Sequence, residues 1–251
     1  MKLLLISNST MRGEKYLEWP KKYIKAFIDK HNIKSALFIP YAGVALKKID
    51  LQQSYDAYIE RVANVYKEFG VKVVSIHQEK DPEAAVKKAK SIIVGGGNTF
   101  HLVYELHKNK VMTSMREAVL NGVPFMGWSA GSNVACPTLR TTNDMPIIEP
   151  ASFKCLNLVP FQINPHYLPV ENDMNYQTHG GETRDERLIE FITINKKVRV
   201  VGLREACLLE IDGATMELKG QYPMRIYQWD KELQNVVLCD IPASDVSYLL
   251  K

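Results

Sequence analysis

This chain has no cysteine pair, no long apolar run and no block of like charge, and each absence removes a class of protein. Its four cysteines, Cys136, Cys155, Cys207 and Cys239, are scattered. No CxxC pair or Cys/His cluster at zinc spacing occurs, so neither a disulfide framework nor a zinc module is expected. No window of about 18 apolar residues is present, which argues against a membrane span. The apolar stretch after Met1 is cut short by Asn8-Ser9-Thr10. That is too soon for a signal peptide, and the stretch reads as a first strand. The formal charge of +4 is spread through the chain, with no basic patch to grip nucleic acid. No repeat, low-complexity tract or Pro/Gly/Ser-rich linker divides the 251 residues. The expectation is one domain over 1–251, in a reducing cytoplasm, without metal, other cofactor, nucleic-acid or membrane partner. Monomer and homodimer are both compatible with it.

What is present is an alternation. Apolar runs at Lys2–Ser7, Lys34–Ile39, Val71–Ile76, Ser91–Val94 and Pro124–Trp128 read as strands buried on both faces. Between them lie helical patterns: Pro20 to Lys30, Ser54 to Phe69 with Gly70 as cap, a short one opened by Asp81-Pro82, and two through Lys108 and Asn121. This predicts an α/β fold with a doubly wound, mostly parallel sheet and helices on both faces. Phe161–Asn164 and Val198–Leu203 read as further strands, and Glu182–Ile192 as a helix. From Leu208 onward, turn signals predict a small antiparallel meander. In such sheets ligands bind beyond the carboxyl ends of strands. The loops Asn8–Trp19, Tyr41–Gly43, Gly95–Thr99 and the one after Trp128 should therefore converge. The first is long enough to be a lid.

Gly127-Trp128-Ser129-Ala130-Gly131 fits Gly-x-Ser-x-Gly, in which a strand turns sharply into a helix and exposes a serine. Gly127 and Gly131 would let neighbouring backbone pass without a Cβ in the way, and the Ala130 N–H would point where an oxyanion forms. A serine nucleophile needs a base. Of six histidines, His31 and His77 end elements, His101 and His107 sit on a helix, and His179 lies in a polar loop. His166 follows an apolar strand with Asn164-Pro165 fixing the backbone before it, and is the preferred base. For the orienting acid, Glu205 lies past a strand end and is better placed than Asp144. Gly95-Gly96-Gly97 matches no phosphate loop. It makes better sense as an oxyanion hole, with Gly96 or Gly97 pairing with Ala130. Asn98 and Thr99 in that loop are substrate-binding candidates.

Val94–Phe100, Gly127–Ser132, Thr142-Asn143-Asp144-Met145-Pro146, Asn164-Pro165-His166 and Gly181–Arg187 together resemble the peptidase E family. Its members are cytosolic α-aspartyl dipeptidases, serine hydrolases distantly related in fold to class I glutamine amidotransferases. The resemblance implies hydrolysis of small Asp-Xaa peptides, with Ser129 as nucleophile, His166 as base and Glu205 as third member, Asp144 being the other acid. It also implies that Arg184 binds the aspartyl side chain, as a guanidinium fork can pair bidentately with a desolvated carboxylate. Without the resemblance, Arg184 would read as a helix-start residue paired with Asp185 or Glu186. The family pattern would put glycine or serine after Glu205, where this chain has Ala206-Cys207-Leu208. Two other readings are a cyanophycinase-like hydrolase of β-aspartyl peptides and a non-catalytic module that kept the turn. Amidotransfer is disfavoured, because Ser129 stands where those enzymes use cysteine and Cys136 is about two helical turns further along the same helix.

Overall fold

The computed structural model describes residues 1–46, 50–173, 177–178 and 180–251. Five strands, β1 (Lys2–Ile6), β2 (Ser35–Ile39), β3 (Lys72–Ser75), β4 (Ile92–Val94) and β5 (Phe125–Trp128), pair in parallel in the order β3-β2-β4-β5-β1. Because successive side chains alternate between faces, the unbroken apolar runs feed two cores. Leu4, Ile6, Phe38, Ile93, Met126 and Trp128 pack against α1 (Lys21–Lys30) and α2 (Leu51–Lys67). Leu3, Leu5, Leu37, Ile39, Ile92, Val94 and Phe125 pack with Val86 of α3 (Pro82–Lys88), and with α4 (Thr99–Lys108) and α5 (Met112–Leu120). The helix starts follow local chemistry. Asp81 accepts from the Ala84 N–H at 3.0 Å and Asn98 from the His101 N–H at 3.0 Å, each satisfying a donor the helix cannot.

Beyond β5 the structure corrects two details of the sequence reading and adds two that the sequence did not show. The helix after Ser129, α6 (Ala130–Asn133), is a single turn and does not reach Cys136. Next, β6 (Gln162–Tyr167) runs through His166, which sits on a bulge of the strand rather than in a loop beyond it. In addition, β6 and β7 (Val200–Arg204) pair in parallel in a second sheet, ordered β11-β10-β7-β6. Finally, the antiparallel tail is divided. β8 (Cys207–Asp212) and β9 (Thr215–Gly220) extend the main sheet beside β1, whereas β10 (Met224–Asp230) and β11 (Asn235–Ile241) complete the second.

The crossing between sheets is the two-residue turn Glu205-Ala206. β1 stitches it: the Ser7 N–H donates to Cys207 O at 3.0 Å, and Ser7 Oγ donates to Leu203 O at 2.7 Å. α7 (Arg184–Ile194) covers the second sheet through Leu188 and Ile192, and Thr183 and Glu186 form a reciprocal capping box at its start. Among the described residues, no helix is long and apolar enough to cross a membrane.

Candidate active site

β5 ends in a turn that few side chains tolerate. Ser129 has φ 55° and ψ −114°, a left-handed conformation sparsely populated outside glycine. Its N–H donates to Ile6 O at 3.0 Å, and Ser132 Oγ donates to the same carbonyl at 2.7 Å, so β1 holds the turn from both sides. The two glycines are steric necessities. A Cβ on Gly127 would lie 2.3 Å from Gly131 O, and one on Gly131 only 2.1 Å from Val94 O.

The held serine meets His166 of the second sheet and, through it, Glu205 of the crossing turn. His166 Nε2 is 2.8 Å from Ser129 Oγ, and His166 Nδ1 is 2.6 Å from Glu205 Oε1. A carboxylate can only accept, so the Nδ1 edge carries the proton and Nε2 is left to accept from the serine hydroxyl. Both His166 and Ala206 have positive φ, 53° and 59°. The Ala206 conformation accounts for the glycine that the family pattern would put there. Two residues that sequence reasoning passed over hold these strained positions. Ser7 Oγ accepts from the His166 N–H at 2.9 Å, and Asn8 Oδ1 accepts from the Ala206 N–H at 2.9 Å. Ser7 and Asn8 are buried. The available signal was a polar pair closing a strand otherwise apolar throughout.

Backbone donors gather on the other side of Ser129. Among the described residues, nothing accepts from the N–H of Gly96, Gly97 or Ala130. The Gly96 carbonyl accepts from Tyr58 Oη at 3.0 Å, so the N–H of Gly97, on the opposite edge of the same planar peptide, faces the other way. Tyr58 also accepts from Trp128 Nε1 at 3.1 Å, and burial raises the pKa of its phenol. Gly96 abuts the serine, since a Cβ there would lie 2.9 Å from Ser129 Cβ. A cavity of about 520 Å³ opens here, lined by Ser129, His166, Gly96, Gly97, Asn98, Asp144, Tyr16 and Arg61. The Asn8–Trp19 loop contributes its walls rather than hanging free. Leu17 is buried and Trp19 Nε1 donates to Asn8 O at 2.9 Å. His166 and Glu205 also line a second cavity of about 400 Å³, with Leu168, Arg204 and Tyr222.

The remaining candidates fall elsewhere. Asp144 does not meet His166. Its Oδ2 accepts from the Thr99 N–H at 2.7 Å, Thr99 Oγ1 at 2.5 Å and Thr142 Oγ1 at 2.9 Å. Thr99 is fully buried and its hydroxyl is committed to Asp144, so it does not face the cavity. Asn98 lines the cavity while capping α4 and donating to Met145 O at 2.8 Å.

Arg184 stands outside the Ser129 cavity and donates to Asn143 Oδ1, while Asn143 Nδ2 donates to Pro165 O at 2.7 Å, beside His166. The acids flanking Arg184 are used otherwise: Glu186 in the capping box, Asp185 on Arg225 at 3.0 Å and on Tyr167 and Tyr227 at 2.5 Å each. Among the described residues, no carboxylate lies within ion-pair distance of Arg184, and desolvation lowers its pKa.

Cys136 is buried, and its thiol is pushed up to about 12. His101 bonds Tyr41 O at 2.7 Å and His107 bonds Lys154 O at 3.0 Å, both structural roles. His31 is a helix C-cap, and His179 lies outside the described residues. A second Ser–His–acid chain, Ser75–His77–Asp56 with contacts of 2.6 and 3.0 Å, is a useful contrast. Ser75 has ordinary φ of −111° and no exposure, so no substrate reaches its hydroxyl. No group of three or more potential metal ligands occurs among the described residues.

The sequence matches Peptidase family S51 over residues 3–219. It is 42% identical over 250 residues to a Peptidase E of Nostoc sp. (strain PCC 7120 / SAG 25.82 / UTEX 2576), covering 100% of this chain and 97% of that protein. It is 43% identical over 253 residues to a Peptidase E of Shewanella sp. (strain MR-4), covering 99% and 98%. Among solved structures, a peptidase from an acI-B1 Actinobacterium superposes with a TM-score of 0.64 at 13% identity, over 98% of this chain and 96% of that one, a likeness of fold. Fold and family together define an α/β peptidase. The chain belongs to Peptidase family S51.

Proposed function

We propose that this chain is a serine-type dipeptidase that hydrolyses the bond after an N-terminal aspartate in small Asp-Xaa peptides of the cytosol. The carrying observation is the hydrogen-bonded series Ser129–His166–Glu205, with Ser129 on a strained turn beside backbone N–H groups that have no acceptor among the described residues. His166 takes the Oγ proton as the oxygen attacks the scissile carbonyl, and Glu205 keeps the imidazole in the required tautomer. The oxyanion rests on the N–H groups of Ala130 and Gly97, with Gly96 packed against the serine. Each such donor contributes about 2.7–4 kcal/mol of transition-state stabilisation. His166 then protonates the leaving amine, and a water repeats the cycle on the acyl-enzyme. Glu205 is 46% exposed, so its main service is orientation rather than a strong charge interaction. Preference for aspartate is supported by the peptidase E resemblance and by Arg184, a partly desolvated cation with no carboxylate within ion-pair distance among the described residues.

Hydrolysis of Asp-Leu measured against Leu-Leu, Glu-Leu and β-Asp-Leu tests this. Cleavage of Asp-Leu at least about 100-fold faster than the others is expected, because a site built for one charged group rejects analogues lacking or misplacing it. Preferential cleavage of β-Asp-Leu would move the protein to a cyanophycinase-like activity, and cleavage of none would leave a binding module.

Ser7 and Asn8 are positioning residues in this reading. Ser7→Ala and Asn8→Ala are each expected to lower kcat about 10- to 100-fold with little change in KM, because small displacements of the base are costly. Steady-state kinetics beside a thermal melt check this. A loss of stability with unchanged kcat for the folded protein would assign them to the fold alone.

A further inference from the structure

We infer that Asp144 binds the free α-ammonium of the substrate, forming an anionic subsite in the Ser129 cavity that makes the enzyme require an unblocked N-terminus. This deepens the dipeptidase reading and rests on it. Three observations carry it. First, Asp144 lines the cavity that holds Ser129 and His166, and among the described residues lining that cavity it is the sole carboxylate. Second, the carboxylate is used on one oxygen only. Oδ2 takes all three donors, at 2.7, 2.5 and 2.9 Å, whereas Oδ1 has no partner among the described residues. Three donors on one oxygen lock the orientation of the group, so Oδ1 is presented at a fixed place instead of being averaged over rotamers.

Third, the carboxylate is tied to the loop that abuts the serine. Gly96 packs on Ser129 and Thr99, three residues on, holds Asp144. Three residues span at most about 11 Å even when extended, and this loop is folded, with the Asn98 N–H bonded to Ala42 O at 2.8 Å.

The chemistry then selects the ligand. A free peptide N-terminus is mostly protonated at neutral pH, with an α-amino pKa of about 7.7–8.0. An ammonium is a donor only, so it needs acceptors once it leaves water. The N–H groups of Gly97 and Ala130 and the Arg61 guanidinium offer it nothing, whereas Asp144 Oδ1 does. In an acylating Asp-Xaa peptide the ammonium is one carbon from the scissile carbonyl, so the subsite has to open on the same cavity as the serine. Asp144 meets that condition.

The test uses Asp-Leu and succinyl-leucine, the same molecule with hydrogen in place of the ammonium. The wild-type protein is expected to prefer Asp-Leu about 100-fold in kcat/KM, as polar sites reject analogues that leave them unpaired. Asp144→Asn keeps an oxygen for Thr99 and Thr142 but turns a donor toward the cavity. It should lower kcat/KM for Asp-Leu about 100-fold, mostly through KM, and bring the ratio of the two substrates close to one. Equal use of both by the wild type, or a parallel fall on both in the variant, overturns the proposal.

If Asp144→Asn does not fold, calorimetry on the Ser129→Ala protein decides, and equal affinity for the two compounds overturns it. Should Leu-Leu be cleaved and Asp-Leu not, the aspartyl reading fails, and the same comparison between Leu-Leu and its desamino form judges the ammonium subsite. Cleavage of no dipeptide overturns both.

Discussion

Alanine at position 129 is expected to lower kcat for Asp-Leu by on the order of a millionfold, the usual cost of removing the serine from a Ser–His–acid hydrolase. The fold should survive, because among the described residues the Ser129 hydroxyl bonds only His166, while its backbone N–H keeps its bond to Ile6. Ser129→Ala combined with His166→Ala should be no worse than either single variant, since groups acting as one unit do not lose activity additively. The turn itself supplies a further check. With φ at 55° and ψ at −114°, any Cβ at this position is strained, at a cost of roughly 1–3 kcal/mol. Ser129→Gly should therefore be equally inactive but melt higher than Ser129→Ala. Substantial activity in Ser129→Ala would remove the serine from the chemistry, and identical melting of the two variants would remove the strain.

Gly131→Ala is expected to be strongly destabilising for a single added methyl, by about 3 kcal/mol or more. Its Cβ would stand 2.1 Å from Val94 O and 2.9 Å from Val94 C, both backbone atoms at the end of a central strand. A side chain can rotate away from such a contact, but here the β4–β5 register would have to shift. Gly122→Ala is the control: φ there is +98° and nothing lies within 4 Å of the added carbon, so only conformational strain of roughly 1–2 kcal/mol is incurred. Urea melts of the two variants separate contact from backbone preference. Equal losses would mean that the β4 carbonyl yields easily and that the turn is looser than its contacts imply.

Much of this arrangement is legible in the sequence. Val94 pairs with Gly127, which brings the glycine loop beside the serine turn as the strand-end rule anticipates. The charge run at Arg184–Arg187 was the opposite case. Nothing in its spacing says that Asp185 goes to Arg225 and two tyrosines, or that Glu186 closes a capping box, leaving Arg184 with no carboxylate within ion-pair distance among the described residues. Helical periodicity carries Cys136 onto the helix after Ser129, because the pattern does not mark where a helix stops after one turn.

The sequence by itself determined the strands of the parallel sheet, the serine turn and which histidine stands beside it. These depend on residues within a few positions of one another: apolar runs, paired glycines, a proline before a histidine. Only the tertiary structure decided which acid meets His166, and that Ser7 and Asn8 hold two left-handed residues, His166 itself and Ala206 next to Glu205. It alone put the two strands of Glu205-Ala206 in different sheets. Those bonds join positions 39, 159 and 198 residues apart, and a hydrogen bond at that separation leaves no periodicity in the chain. It exists only once two sheets have packed and carried a polar strand end against a strained turn.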